Sequence, residues 1–214
     1  MEALVDNDIL MKGACYNLLD ELLLQTVSST KLLGILGATR FVVAKKIRKR
    51  ALRGDKGAAV KSLEAFIQRV TTVEPTSEEQ RMAADFELAA QRAGVALDTG
   101  ESQLCAVLII RAVRQLYTGD KRAIQAMQEL LEADTRLRSL CNRVKCLEQL
   151  VLQSITEDNV SLFRAAICSE PETDMALTIC FSCASKGASL EEVNYALTSY
   201  INDLRKSSPQ ILIG

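Results

Sequence analysis

"DTGESQLCAVLIIRAVRQLYTGDKRAI", residues 98–124, uses one local pattern twice. An Asp-Thr-Gly-Glu turn opens a helix, and "CAVLII" (105–110) is apolar on every side, so that helix is expected to be buried on most faces. "QLYT" (115–118) then reads as a short strand, "TGD" as the turn that ends it, and "KRAIQAMQELLEA" as the helix that follows. Strand, acidic turn and helix in succession is the unit from which parallel sheets are built.

The same unit recurs outward in both directions. "EALVD" at the N-terminus reads as a buried strand, followed by "ACYNLLDELLLQTV" at helical spacing. "SSTKLLGILGATRFVVAKKIRKRAL" is expected to be helical, broken near Gly34 or Gly37, and "AAVKSLEAFIQRV" to be a further amphipathic helix. "TTVEP" is a strand stopped by Pro75. Thr76 and Glu79 then stand in capping-box register at the head of a helix that ends at Gly94. "RVKCLEQLV" is expected to be another strand. From about residue 154 only helices are expected, with Ser189 and Glu192 forming a second capping box. The expected fold is α/β: a parallel sheet of about four or five strands flanked by helices over residues 1–153. A helical C-terminal extension, 154–214, would pack on or beside it.

Composition narrows the chemistry. The 214 residues are 48% apolar and 25% charged, with a net charge of −1, so no global field draws the chain to nucleic acid or membrane. No apolar run approaches a membrane span, and the N-terminus has no export signal, which gives a cytoplasmic expectation. There is no histidine, which excludes Ser-His-Asp and Cys-His catalysis and any histidine-bound zinc. Seven scattered cysteines in such a chain are expected to be reduced thiols. Cys180 and Cys183 form C-x-x-C, with Cys141 and Cys146 upstream, but their apolar surroundings favour packing over a zinc site.

What remains is carboxylate chemistry. In an open α/β sheet the crevice lies at the carboxyl ends of the strands. Asp6 ends the first strand, Glu101 opens the helix after "VALDTG", and Asp120 follows "QLYTG". Asp8 shares a face with Asp6 if the strand stays extended. Each acid alone also serves as a helix cap. Three at corresponding strand ends repel one another, and a hard divalent cation, Mg²⁺ or Mn²⁺, relieves that repulsion.

"LVDNDILMK", "LDTGESQLCAVLI" and "LYTGDKRAI", in that order over roughly residues 1–150, resemble the motifs of PIN-domain proteins. These are metal-dependent nucleases, many of them ribonucleases and toxins of bacterial toxin–antitoxin pairs. The resemblance implies that Asp6, Glu101 and Asp120 hold the metal, with Asp8 supporting or ligating it, and that RNA is the substrate, with DNA second. The family also carries an acid some 35–45 residues after the first aspartate. Here that region is "ATRFVVAKKIRKRAL", with Lys45 and Lys46 and no acid. Lys45, Lys46, Arg48, Lys49, Arg50 and Arg53 form a basic run that reads either as a solvated helix face or as a phosphate-binding patch.

Three functions follow. The first is a metal-dependent ribonuclease of toxin or defence type. The second, suggested by the missing acid, is an inactive PIN-like binding or regulatory module. In either case the C-terminal helices would offer a surface to a protein partner or a second copy. The third, from the D-x-D in "LVDND", is a haloacid-dehalogenase-like phosphatase, although Leu10 stands where that family usually has Thr or Val.

Overall fold

The computed structural model describes residues 1–185 and 187–214. Five strands run parallel: β1 Ala3–Val5, β2 Leu33–Leu36, β3 Thr71–Val73, β4 Gln115–Thr118 and β5 Val144–Cys146. Their order across the sheet is β3-β2-β1-β4-β5. Between them come α1 Asn7–Tyr16, α2 Leu19–Leu23, α3 Thr39–Lys49, α4 Lys56–Ile67, α5 Ser77–Ala93, α6 Thr99–Ile110 and α7 Lys121–Glu129. After β5 follow α8 Leu147–Ser154, α9 Val160–Ser169, α10 Met175–Cys180 and α11 Leu190–Ser207. The expected parallel sheet flanked by helices is present, with five strands.

Alternation along each strand divides the core in two. Ala3, Val5, Leu33, Ile35 and Tyr117 face one cluster, built with α1 to α4 and α8 to α10. Leu4, Leu36, Leu116, Val144 and Cys146 face the other, built with α5, α6 and α7. α11 serves both: Val193 and Leu197 join the first cluster, Ile201 and Leu204 the second. The C-terminal helices therefore share the sheet's own core. Tail residues continue onto the sheet edge, where Val144 bridges Leu212 in parallel and the Ile213 amide donates to the Val144 carbonyl at 2.9 Å. No described helix is long and apolar enough to cross a membrane.

Several elements differ from expectation. "LGIL" is β2, not helix: it lies between β1 and β3, all four residues are buried, and such a strand carries no polar alternation to betray it. A Cβ at Gly34 would stand 2.1 Å from the Met1 sulfur, 3.0 Å from the Leu4 side chain and 3.1 Å from that of Val73, so any larger residue there would force these neighbours to shift. In "RVKCLEQLV" the strand stops at Cys146. The Gln149 side chain accepts from the Cys146 amide at 3.1 Å, a cap that starts α8. The thiols are not all free: the end of α9 and the turn after α10 bring Cys168 and Cys183 together as a disulfide, Cα–Cα 5.1 Å. Both expected capping boxes form, Thr76 with Glu79 and Ser189 with Glu192. Gly94, at φ +70°, ends α5 in the left-handed region.

Candidate active site

Chain order reverses between β1 and β4: β2 and β3 lie on one side, β4 and β5 on the other. A crevice opens at the carboxyl ends of the strands at such a point. Asp6 follows β1 and Asp120 follows β4 at this point, each the N-cap of the next helix, α1 and α7.

Asp6 is 5% exposed. Its carboxylate accepts from the Asn7 amide at 2.6 Å, the Asp8 amide at 3.4 Å and the Thr118 hydroxyl at 3.1 Å. Burial, then the charge of Asp8, lifts its pKa to about 6 against these hydrogen bonds. Glu101 sits at the third position of α6 and is 6% exposed. It accepts from the Asp98 amide at 2.9 Å, while Asp98 accepts from its own amide at 2.9 Å. Burial first, then the carboxylates of Asp98, Asp6 and Asp120, push Glu101 up to about 8. The three predicted acids thus share one electrostatic field.

Asp120 is compensated. Burial would raise it, but hydrogen bonds from the Arg122 guanidinium (3.1 Å) and from the Arg122 and Ala123 amides prevail and hold it below the ordinary range. Asp8 does not share a strand face with Asp6, because α1 begins at Asn7 and turns Asp8 away. It pairs instead with Lys12, one turn on, at 2.5 Å. Lys12 also pairs with Asp174, the N-cap of α10, at 2.8 Å. Gly119 makes room for this arrangement: a Cβ there would stand 2.3 Å from an Asp8 oxygen and 3.3 Å from the Lys12 ammonium.

Sequence reading missed Thr118, Lys12, Asp174 and the Lys121–Glu148 pair (2.6 Å), in which Glu148 is 2% exposed. The Asp8–Lys12 spacing carried a local signal; Asp174 and Glu148 reach the site only through the fold. On α3, Lys45, Lys46, Arg48 and Lys49 are exposed, as is Arg53 beyond it, and none has an ion pair among the described residues. Arg50 is half-buried and donates at 2.8 Å to the carbonyls of Glu172 and of Thr173, so its guanidinium binds the C-terminal segment rather than facing solvent.

Among the described residues no three His, Cys, Asp or Glu side chains stand together as a ready metal cage. In charge and donor type, Asp6 and Glu101 nonetheless suit a hard cation. Both are buried and pushed toward the neutral form, chiefly by burial, and neither has an ion pair among the described residues. The neighbouring Asn7 side-chain oxygen is buried and unpartnered as well. The larger cavities lie elsewhere; one of about 490 Å³ runs between α2 and α4. Set against known proteins, the chain matches no family model and no curated protein.

Proposed function

We propose that this protein is a Mg²⁺- or Mn²⁺-dependent nuclease of the PIN-like kind, cleaving phosphodiester bonds in RNA. The observation that carries the reading is the pair of buried, uncompensated carboxylates, Asp6 and Glu101, at the switch point of a parallel sheet. With Asp120 they would hold the cation. Bound there, a divalent ion activates water and neutralises charge on the phosphodiester. Thr118 orients Asp6 through its hydroxyl and accepts from the Asp120 amide at 3.2 Å, tying two of the acids to one side chain. Arg122, 78% exposed, is free to leave Asp120 for a substrate phosphate. Lys45, Lys46, Arg48 and Lys49 form a basic helix face that suits a polyanionic backbone.

The second reading is a binding module without catalysis. It is favoured by the absence of a ready three-acid cage among the described residues and by lysines, not an acid, on α3. Exposed Leu162, Met175, Ile179 and Tyr195 on α9 to α11 would give such a module, or the nuclease, a surface for a protein partner.

Wild type and Asp120→Asn are incubated with single- and double-stranded RNA and DNA and Mn²⁺, with and without chelator. Cleavage of RNA that disappears with chelator and in the variant is the expected result. RNA bound but uncut by wild type with Mn²⁺ present replaces the nuclease by the binding module. Cleavage that survives both chelator and variant removes the carboxylate site from the chemistry.

A further inference from the structure

Residues 170–174 are fastened beside the acidic crevice by ties from three places in the fold. Buried Glu170 accepts from the amides of Arg53 at 2.9 Å and Gly54 at 2.5 Å. Arg50 holds the carbonyls of Glu172 and Thr173. Asp174 pairs with Lys12, which itself pairs with Asp8. From within the segment's own helix, the Thr178 hydroxyl donates to the Pro171 carbonyl at 2.6 Å. The Cys168–Cys183 disulfide, 15 residues apart in sequence, closes a loop that encloses this whole strap. Both cysteines are only partly buried, at the margin of the core rather than inside it. The third cysteine of the region, Cys180, is buried, and burial first among its causes pushes its thiol up to about 12, so it stays protonated and does not compete for either sulfur.

We propose that Cys168 and Cys183 form a reversible thiol–disulfide site, exchanged by small dithiols and disulfides, whose oxidised form clamps residues 170–174 against Lys12 at the crevice. On reduction, one thiolate of a dithiol attacks a sulfur of the Cys168–Cys183 bond and displaces the other as thiolate, which takes a proton. The dithiol's second thiolate then releases the mixed disulfide, leaving two protein thiols and a cyclic disulfide. The reverse exchange, with a small disulfide as oxidant, restores the clamp. Breaking the bond returns chain freedom to the enclosed loop, while the ties from Arg50, Lys12 and the Arg53–Gly54 amides remain. The strap then opens more often without the domain unfolding. This inference does not depend on the nuclease reading, since its readout is the strap itself.

The test uses the full chain, folded, before and after treatment with dithiothreitol. Alkylation mapped by mass spectrometry reports the thiols, and amide hydrogen exchange reports residues 170–178. The expected result is two thiols released at Cys168 and Cys183 under native conditions, with exchange in 170–178 faster by about tenfold and the rest of the sheet unchanged. The Cys168→Ser/Cys183→Ser double variant is expected to exchange like the reduced protein, whatever the dithiothreitol. The proposal is overturned if Cys168 and Cys183 alkylate fully before reduction. It also fails if they resist dithiothreitol in the folded protein, or if strap exchange is the same in both redox states.

Discussion

Glu101 and Asp6 are acids that folding makes harder to ionise. With pKa values of about 8 and about 6 against ordinary values of 4.5 and 3.8, the folded chain binds more protons than the unfolded chain between those limits. Stability contributed by these two groups is greatest below about pH 4 and falls as pH rises toward about 8, by a total on the order of several kcal/mol. Asp120 and Asp174 act in the opposite sense. Their pKa values are lowered, so their contribution is present above the ordinary carboxylate range and is lost in acid. In chelator, urea midpoints are therefore expected to decline from pH 5 to pH 8 in wild type, and Glu101→Gln is expected to flatten most of that decline. Millimolar Mn²⁺ should restore the wild type at pH 8 and leave Glu101→Gln little changed. An equal pH slope in both proteins would mean that Glu101 is not held neutral. Asp6, Glu101 and Asp120 could be picked out as a group because Asp6 directly ends an apolar strand, while Glu101 and Asp120 each follow a glycine turn after an apolar run. The role of Asp8 was not, because one residue's difference in where α1 starts sends its side chain to Lys12.

At the scale of elements, the β4–α7 connection is the part on which the site depends most. Thr118 is 1% exposed and joins Asp6 of one strand end to Asp120 of the other. Thr118→Val keeps the shape and removes both hydrogen bonds, leaving the Asp6 carboxylate with fewer partners in a buried place. The expected cost is about 1–2 kcal/mol in folding stability, measured by urea denaturation, with a further drop in Mn²⁺ affinity measured by calorimetry. Unchanged metal affinity would show that Asp6 needs no help from β4. Strands β4 and β3 were readable because turn residues mark their ends. β2 was not, since a strand covered on both faces looks like any other apolar run, and "KLLGILGATRF" continues into a real helix.

Across the whole molecule, the sheet has two edges handled differently. β3 is only three residues long, with Thr71 and Thr72 exposed, a short polar edge that resists pairing with another chain. β5 is covered by the tail, where Ile211 and Leu212 are 0% and 1% exposed. Removing residues 209–214 is expected to lower stability by about 3–5 kcal/mol, the upper-bound worth of two buried aliphatic side chains, and to raise light scattering on mild heating as β5 is uncovered. A truncated protein with the wild-type urea midpoint would show that the tail is an ornament of the edge. The apolar character of "ILIG" was visible in the sequence, but its parallel docking on β5, some 68 residues away from Val144 to Leu212, is a property of the assembled sheet.

The hydrogen bond between Thr118 and Asp6 spans 112 residues of chain. During synthesis the first strand leaves the ribosome long before its partner at the crevice exists. A nascent chain that stops anywhere before residue 101 carries Asp6 and Asp8 but lacks Glu101, Thr118 and Asp120. Products terminated before residue 101 therefore cannot assemble the acidic crevice. Whatever chemistry the crevice performs is withheld from a nascent chain until residue 120 has been made and has cleared the ribosome.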